Sequence, residues 1–181
     1  MTEDLKTYLK YLLAELAIPA LFLLAISKLK DLAPKDQRAA NVIAFLSMIQ
    51  FAEGTYGVHA YQMLYGGGLF NDFTRHPNIP VTTGHITSTA AGAYQILYRT
   101  WTTVAQALNL PDFSPFSQDR AAIELIRRRG ALEDVTGGRL EAAISKCRKE
   151  WASLPGAGYG QHERSYEVLA AAYVKAGGQM A

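Results

Sequence analysis

The sequence predicts a mostly helical α+β domain with one small β element. Apolar residues recur at helical spacing in several separate stretches, and the middle of the chain is rich in turn glycines and short apolar runs. The length of 181 residues leaves room for one domain with a proper core and an appended segment. We therefore expect a folded domain at residues 39–181, a linker at residues 31–38 and a front segment of different character at residues 1–30.

The front segment contains a run of 17 residues, 11–27, that is apolar except for one carboxylate, Glu15, and is interrupted by Pro19. A bilayer span takes about 20 apolar residues, and a central charge costs on the order of 3 kcal/mol, so this run is a poor span. Three interpretations of this run are open. It is a weak membrane anchor that inserts and later leaves the bilayer, an ordinary amphipathic or core helix, or a cleaved signal peptide. The absence of a small-residue cleavage site after Ser27 disfavours the signal peptide.

The linker and the first helix of the domain follow. Residues 31–38 are polar and contain Pro34, which is typical of a linker. In residues 41–53, apolar side chains recur at helical spacing, and Gly54 stands where a C-terminal cap belongs. The apolar positions of this predicted helix are Val42, Phe45, Leu46 and Ile49.

A β element and further helices make up the rest of the domain. The glycine-rich residues 58–89 predict a small hairpin or irregular sheet. Ser114 and Pro115 form a cap followed by a first-turn proline, which predicts a helix running toward Gly130. Two later helices are predicted from apolar faces, and three aromatic residues are expected in the core. The faces are Leu140, Ala143, Ile144, Cys147 and Trp151, and Tyr166, Leu169, Ala170 and Tyr173; the core aromatics are Trp101, Phe113 and Trp151.

Composition and motifs exclude several classes of protein. The net charge of +2 comes from 18 basic and 16 acidic residues spread along the chain, so no nucleic-acid partner is expected. The single cysteine, Cys147, excludes an internal disulfide, and the four histidines follow no zinc-ligand spacing. The three glycines at 66–68 lack the Lys and Ser/Thr of a phosphate loop. We therefore expect neither a metal nor a cofactor.

Glu53 is the candidate catalytic residue. It lies four residues after Ile49 and seven after Leu46, which places it on the apolar face and in the last turn of its helix. Burial and the negative end of the helix dipole both raise a carboxyl pKa, as a general acid near neutral pH requires. On spacing alone, Glu53 is equally a structural carboxylate that accepts hydrogen bonds in the core or bends out to solvent past Gly54.

Four separated motifs carry a resemblance to a known family. FAEGT at 51–55, GGGLFNDFTRHP at 66–77, STAAGAYQIL at 88–97 and WASLPGAGYGQ at 151–161 resemble the lambda-type phage endolysins. These are lytic transglycosylases with a lysozyme-like fold. The resemblance implies a substrate cleft, peptidoglycan glycan strands as substrate, host lysis as the outcome and Glu53 as the catalytic acid. We also expect a monomer.

Residues 1–38 have no counterpart in the lambda-type pattern. They resemble the signal-arrest-release segments of other phage endolysins, whose weakly hydrophobic anchors leave the membrane at lysis. The resemblance implies tethering to the host inner membrane through residues 11–27, with release into the periplasm. The alternative is a cytoplasmic protein that reaches the wall when a holin opens the membrane.

The number of carboxylates near Glu53 bears on the reaction. Glycosidases that use water usually need a second carboxylate, and the next acidic residue after Glu53 is Asp72. The sequence therefore favours lytic transglycosylation, in which one carboxyl acts as acid and then as base. The alternative is hydrolysis with Asp72 as partner, although a hydrogen-bonded structural aspartate fits its place between aromatic residues better.

The resemblance also implies a set of substrate-binding residues. Gln95 and Tyr94 match positions that bind the N-acetyl and hydroxyl groups of the sugar, and an amide offers both donor and acceptor. For Tyr94, a core aromatic is the equal alternative. The two lips of the cleft are implied to contribute Tyr159 and Gln161 below, and Ser88 and Thr89 above, where the last two are alternatively turn caps.

Two non-enzymatic interpretations compete with this one. A wall-binding or virion protein that has lost catalysis predicts a missing acid, whereas Glu53 is present in its motif. A holin-like membrane protein leaves the resemblance from residue 41 onward unexplained. Both are therefore less favoured than the enzyme.

Overall fold

The computed structural model describes residues 35–181. The predicted front segment, residues 1–30, lies outside the described residues, and so does the first half of the predicted linker. The first described helix begins at Lys35, four residues before the predicted start of the domain. Residues 35–38 are thus helical and not linker, and Arg38 Nη2 donates a hydrogen bond to Thr136 Oγ1 at 3.1 Å. The domain therefore includes this end of the predicted linker.

The described chain folds into six α-helices and a two-stranded hairpin, so the predicted mostly helical α+β class is confirmed. Two short 3₁₀ turns, Ala60–Gln62 and Tyr65–Gly67, lie between the first helix and the hairpin. The elements are α1 (Lys35–Ala52), β1 (Val81–Thr83), β2 (Ile86–Ser88), α2 (Tyr98–Leu108), α3 (Pro115–Arg128), α4 (Leu132–Thr136), α5 (Leu140–Cys147) and α6 (Tyr166–Lys175). Within residues 35–181, no helix combines the length and apolar character that a membrane span requires.

Helix α1 runs through the centre of the domain and packs against α4 and α6. The predicted apolar face is buried, and Ala44 and Met48 on another side of the helix are fully buried as well. A helix that is apolar on most sides is surrounded by the rest of the fold. It ends at Ala52, and Gly54 takes a φ of 73°, the left-handed conformation expected of the predicted cap.

The glycine-rich middle is mostly irregular and closes with the hairpin. Strands β1 and β2 pair antiparallel, with Val81 opposite Ser88 and Thr83 opposite Ile86. Isolated bridges join Leu64 to Ala91 and Ala91 to Ile96. The predicted hairpin is therefore present, and these bridges bind the preceding loops to the segment that follows it.

The later helices agree with the sequence in part. Helix α3 begins as predicted, since the Ser114 hydroxyl accepts a hydrogen bond from the Ser117 amide at 3.4 Å and Pro115 occupies the first turn. Helices α5 and α6 are present, but Trp151 lies beyond the end of α5 and reaches the core from a loop. Helix α2 was not predicted; it contains three threonines, which have low helix propensity, and only two buried residues, Trp101 and Val104.

Candidate active site

A cleft of about 320 Å³ opens beside the last turn of α1. Its walls come from the end of α1, the loop around residues 63–67, Gln95 and the loop that precedes α6. Glu53 is the acidic residue among those that line it. The lining residues are Ala52, Glu53, Gly54, Thr55, Met63, Leu64, Tyr65, Gly66, Gly67, Gln95, Ser153, Gln161, His162 and Arg164.

Glu53 is held at the cleft wall by one serine. Its amide donates to Ile49 O at 2.9 Å, which continues the hydrogen bonding of α1, and its Oε1 accepts from Ser153 Oγ at 2.6 Å. Burial raises the pKa of the Glu53 carboxyl, and the hydrogen bonds from Ser153 oppose this in part by favouring the ionised form. The raised pKa agrees with the sequence-based expectation, and a carboxyl held in this way suits a general acid near neutral pH.

Ser153 reaches Glu53 from a loop anchored on both sides. Trp151 Nε1 donates to Tyr94 O at 3.0 Å, and Ser153 O accepts from the Arg164 amide at 2.8 Å. Ser153 was not predicted, although it lies inside the WASLPGAGYGQ motif. It is 100 residues from Glu53 along the chain, so no spacing rule connects the two.

Gln95 lies in the cleft because the segment before it is packed tightly onto α3. Gly92 has a φ of 77° and contacts the Gln118 side chain, whose Oε1 accepts from the Ala93 amide at 2.9 Å. Gln95 itself has a φ of 46°, and its Nε2 donates to Gly92 O at 3.1 Å and Met63 O at 3.3 Å. These bonds fix the amide at the cleft wall, where the sequence placed it.

Thr55 joins this segment to the end of α1. Its hydroxyl donates to Ala93 O at 2.6 Å and is buried. Glu53 and Gln95 are therefore held in a fixed relation by a short path through Thr55 and the backbone at Ala93. Thr55 belongs to the FAEGT motif but was not singled out from the sequence.

Tyr94 is a correction to the predicted substrate-binding set. Its side chain is 1% exposed, its hydroxyl donates to Asp119 Oδ1 at 2.5 Å, and Gln50 Nε2 donates to the same hydroxyl at 3.2 Å. A side chain enclosed in this way has no surface to offer a sugar. Its ring instead packs edge-on against Tyr61, which donates to the same carboxylate oxygen, so Tyr94 is the core aromatic of the alternative interpretation.

The two residues predicted for the lower lip, Tyr159 and Gln161, differ in their position relative to the cleft. Gln161 lines the cleft with Glu53. Tyr159 is 53% exposed and lies outside the lining residues; its hydroxyl donates to Lys149 O at 3.0 Å, and the Lys149 ammonium lies 5.3 Å from the centre of its ring. The loop carries Tyr159 on the surface beside the cleft, where its ring face is occupied by a cation.

Ser88 and Thr89 behave as turn residues. Ser88 Oγ accepts from the Ala90 amide at 3.1 Å, and Thr89 Oγ1 accepts from the Tyr98 amide at the start of α2 at 3.2 Å. Neither lies among the residues that line the cleft. Their geometry matches the turn-capping alternative.

Asp72 lies on the surface, away from the cleft lining. Its Oδ1 accepts from the amide of Thr74 at 2.8 Å and from the hydroxyl of the same residue at 2.6 Å. These hydrogen bonds are the main cause of the lowered pKa of Asp72. This is the structural turn aspartate that its position in the LFNDF run indicated.

The lining also contains two basic residues that the sequence did not single out. Arg164 and His162 both face the cleft, and the Arg164 guanidinium carbon lies 5.5 Å from the centre of the Phe51 ring. No group of three or more His, Cys, Asp or Glu side chains arranged to hold a metal ion occurs within residues 35–181. Cys147 is buried in the core, and burial raises the pKa of its thiol to about 12.

The fold is lysozyme-like. The structure superposes on bacteriophage lambda lysozyme complexed with a chitohexasaccharide with a TM-score of 0.76 at 42% identity, covering 78% of this chain and 97% of that one. A second structure of lysozyme from bacteriophage lambda gives a TM-score of 0.73 at 41% identity, with the same coverage. The predicted lysozyme-like fold is confirmed.

Sequence comparison defines the family within this class. Residues 43–180 match the family model described as Endolysin. The chain is 46% identical over 154 residues to the endolysin of Escherichia phage P2, covering 76% of this chain and 93% of the relative. It is 44% identical over 142 residues to the endolysin of Escherichia phage lambda, covering 75% and 90%. The chain belongs to the endolysin family.

Proposed function

We propose that this endolysin cleaves the glycan strands of peptidoglycan by lytic transglycosylation, with Glu53 as its acid and base, and so lyses the host of a phage. The observation that carries the mechanism is a partly buried carboxyl with a raised pKa, in a cleft whose lining contains no second carboxylate. Lambda lysozyme, at 42% identity, has been solved with a chitohexasaccharide, which supports a glycan as the ligand of this cleft.

The reaction needs one carboxyl in two successive roles. Glu53 first donates its proton to the glycosidic oxygen between N-acetylmuramic acid and N-acetylglucosamine, and the bond to that oxygen breaks. The carboxylate then accepts the proton of the C6 hydroxyl of the same muramic residue, whose oxygen closes a 1,6-anhydro ring. Glu53 ends protonated as it began, and no water or metal is consumed.

Ser153 supports the second role. Its hydroxyl donates to Glu53 Oε1 at 2.6 Å, a bond that strengthens when the carboxyl becomes charged. Burial favours the protonated form before the reaction, and Ser153 favours the carboxylate after the first transfer. The surroundings of the carboxyl thus contain one influence that favours each of the two forms the reaction needs.

Hydrolysis with Asp72 is the competing mechanism, and the position of Asp72 disfavours it. Asp72 is exposed, is engaged by Thr74 and lies outside the residues that line the cleft. A base or nucleophile must lie within roughly 5 to 9.5 Å of the acid and face the same sugar. The geometry therefore supports the single-carboxyl mechanism.

The test of the mechanism is product analysis. The protein is incubated with purified peptidoglycan, and the soluble fragments are examined by mass spectrometry. We expect anhydromuropeptides. Reducing ends in their place would establish hydrolysis, and undigested wall would contradict both forms of glycan cleavage.

The role of Glu53 is tested by a single substitution. Glu53→Gln keeps the shape and an acceptor for Ser153 but cannot transfer a proton, so we expect cleavage to fall by at least about 100-fold. The rate of release of soluble muropeptides measures this. Glu141→Gln, on the exposed face of α5, is the matched control and keeps full activity. If Glu53→Gln kept its activity, another residue would have to be the catalytic acid.

We further propose that residues 11–27 form a releasable membrane anchor. The supporting observation is the apolar run with one carboxylate and one proline, too weak for a stable span. The protein is then held at the periplasmic face of the host inner membrane and acts on the wall as a monomer after release. Cell fractionation before and after collapse of the membrane potential tests this. We expect a shift from the membrane to the soluble fraction, and a chain that is soluble throughout would contradict the anchor.

A further inference from the structure

One polar atom near the cleft lacks a partner. Arg164 Nε is buried and forms no hydrogen bond, and no other side-chain nitrogen or oxygen in the described part of the chain combines these two properties. The Arg164 side chain lines the same cleft as Glu53. A buried donor without an acceptor is unfavourable and rare in native structures, so it calls for an explanation, and a ligand in the cleft is one.

The arginine is held in place by its surroundings. Its amide donates to Ser153 O at 2.8 Å, which ties its backbone to the residue that contacts Glu53. The guanidinium carbon lies 5.5 Å from the centre of the ring of Phe51, which is in the last turn of α1, directly before Glu53. Stacking on an aromatic ring holds the guanidinium in place and leaves its terminal Nη groups, at the end opposite the buried Nε, to bind.

The positive charge of Arg164 has no protein counter-ion in residues 35–181. The carboxylate of the neighbouring Glu163 is engaged by backbone, since it accepts from the amides of Gly156 at 2.8 Å and Gly158 at 2.7 Å. Among the described residues, the ion pairs involve Glu124, Glu150 and Asp134, and none includes Arg164. The cleft therefore presents a fixed guanidinium toward its ligand.

A guanidinium edge recognises a carboxylate, because its parallel N–H groups match the two oxygens. Peptidoglycan carries carboxylates that a neutral β-1,4 glycan lacks. They are the lactyl carboxyl of muramic acid, which is free only where the stem peptide has been removed, and the carboxylates of the stem peptide itself.

We propose that Arg164 binds a carboxylate of the muramoyl side of the substrate and so selects peptidoglycan strands over neutral glycans. This inference rests on the proposed function, since it assigns a substrate group to the same cleft. Arg164 is then a specificity-determining residue, which acts on substrate binding, while Glu53 carries the proton transfers.

Binding measurements with three ligands test the inference. The parent chain carries Glu53→Gln so that ligands are not consumed, and Arg164→Gln, Arg164→Lys and the exposed control Arg99→Gln are added to it. The ligands are a muramoyl glycan with stem peptides, the same glycan freed of peptides by an amidase, and chitohexasaccharide. Calorimetry gives the dissociation constants, and circular dichroism checks that each variant is folded.

We expect Arg164→Gln to weaken binding of a muramoyl glycan about tenfold and to change chitohexasaccharide binding by less than about twofold. A loss of affinity for the peptide-bearing glycan alone identifies a stem-peptide carboxylate as the partner of Arg164. A loss of affinity for the peptide-free glycan alone identifies the lactyl carboxylate. Arg164→Lys keeps the charge but lacks the parallel N–H groups of the guanidinium. Its affinity for a muramoyl glycan should lie between those of the parent chain and Arg164→Gln. Arg99→Gln should match the parent chain with all three ligands.

Other outcomes overturn the inference. Equal loss for all three ligands, chitohexasaccharide included, makes Arg164 a structural residue of the loop. Unchanged binding of both muramoyl glycans removes Arg164 from recognition while leaving the proposed function intact. If the parent chain binds no muramoyl glycan at all, both proposals fail. Should Arg164→Gln fail to fold, salt titration of the parent chain decides, because carboxylate recognition predicts muramoyl binding that weakens with salt and chitohexasaccharide binding that does not.

Discussion

Among single residues, Glu53 and Ser153 determine how the cleft responds to pH. Burial raises the pKa of Glu53, and the hydrogen bonds from Ser153 lower it in part. The proton-donating form of Glu53 is present below this raised pKa and is lost as pH rises through it. The activity of the enzyme should therefore extend to higher pH than an ordinary glutamic acid would allow, and fall on the alkaline side.

Ser153→Ala tests this balance. The substitution removes a donor that favours the carboxylate, so the pKa of Glu53 rises further and the alkaline limb of the kcat/KM profile moves to higher pH. We expect kcat to fall about tenfold as well, because the carboxyl loses its fixed orientation and its support when charged. The pH dependence of muropeptide release measures both. A profile that keeps its alkaline limb in place, or moves it to lower pH, would contradict this role of Ser153.

The residues of the cleft differ in how far they were predictable. Glu53 was singled out because spacing places it on the apolar face of a regular helix and the FAEGT motif implies its role as the acid. Ser153 and Arg164 were missed, since both come from an irregular loop about 100 residues away, whose path no periodicity describes. The sequence left Tyr94 open between sugar contact and the core, because a motif records which residues recur and not which way a side chain points; the structure buries it.

At the scale of elements, the contact between residues 91–96 and helix α3 positions the cleft wall. The Gln118 side chain on α3 accepts from the Ala93 amide and donates from Nε2 to Phe113 O at 2.8 Å and Tyr61 O at 3.0 Å. One fully buried side-chain amide thus joins three separate segments. Each of its hydrogen bonds gives a partner to a backbone group that would otherwise be buried without one.

Gly92→Ala should disrupt this contact. A Cβ at Gly92 would lie 2.1 Å from Gln118 Oε1, and the φ of 77° is unfavourable for alanine, so we expect a loss of about 3 kcal/mol or more in the free energy of unfolding. Gly84→Ala in the hairpin turn is the matched control. It has a φ of 61° but open space around the Cβ, and should cost about 1 to 2 kcal/mol.

Urea unfolding of both glycine variants measures the difference. Equal losses in the free energy of unfolding would mean that the backbone conformation alone sets the cost of each substitution and that the Gln118 side chain readily moves aside. A larger loss at Gly92, together with reduced muropeptide release from the fraction that remains folded, would tie the packing of this segment to the position of Gln95.

For the whole molecule, Asn41 joins the two ends of the described chain. It is 3% exposed; its Oδ1 accepts from the Gln179 amide at 2.9 Å, and its Nδ2 donates to Thr136 O at 3.1 Å. The C-terminal residue is held nearby, as the Ala181 amide donates to Gly138 O at 3.0 Å. The first helix, α4 and the C-terminal tail are therefore fastened at one buried amide.

Asn41→Ala should destabilise the domain without changing the chemistry of the cleft. It leaves the Gln179 amide and Thr136 carbonyl without their partner, so we expect a loss of about 2 kcal/mol in the free energy of unfolding. Urea unfolding checks this, with the exposed Asn71→Ala as a control expected to cost less than about 0.5 kcal/mol. If Asn41→Ala unfolds at the same urea concentration as the unmodified protein, the C-terminal tail contributes little to stability.

The sequence by itself determined the regular parts of this protein and singled out Glu53 as the candidate acid. Helix α1 with its Gly54 cap, the Ser114 and Pro115 start of α3 and the position of Glu53 follow from local periodicity and capping, which act over a few residues. Tertiary structure alone decided which groups surround Glu53. Ser153 binds Glu53, and Arg164 lines the same cleft, because loops distant along the chain pack against the end of one buried helix. Hydrogen bonds between distant residues leave no periodic signal in the sequence.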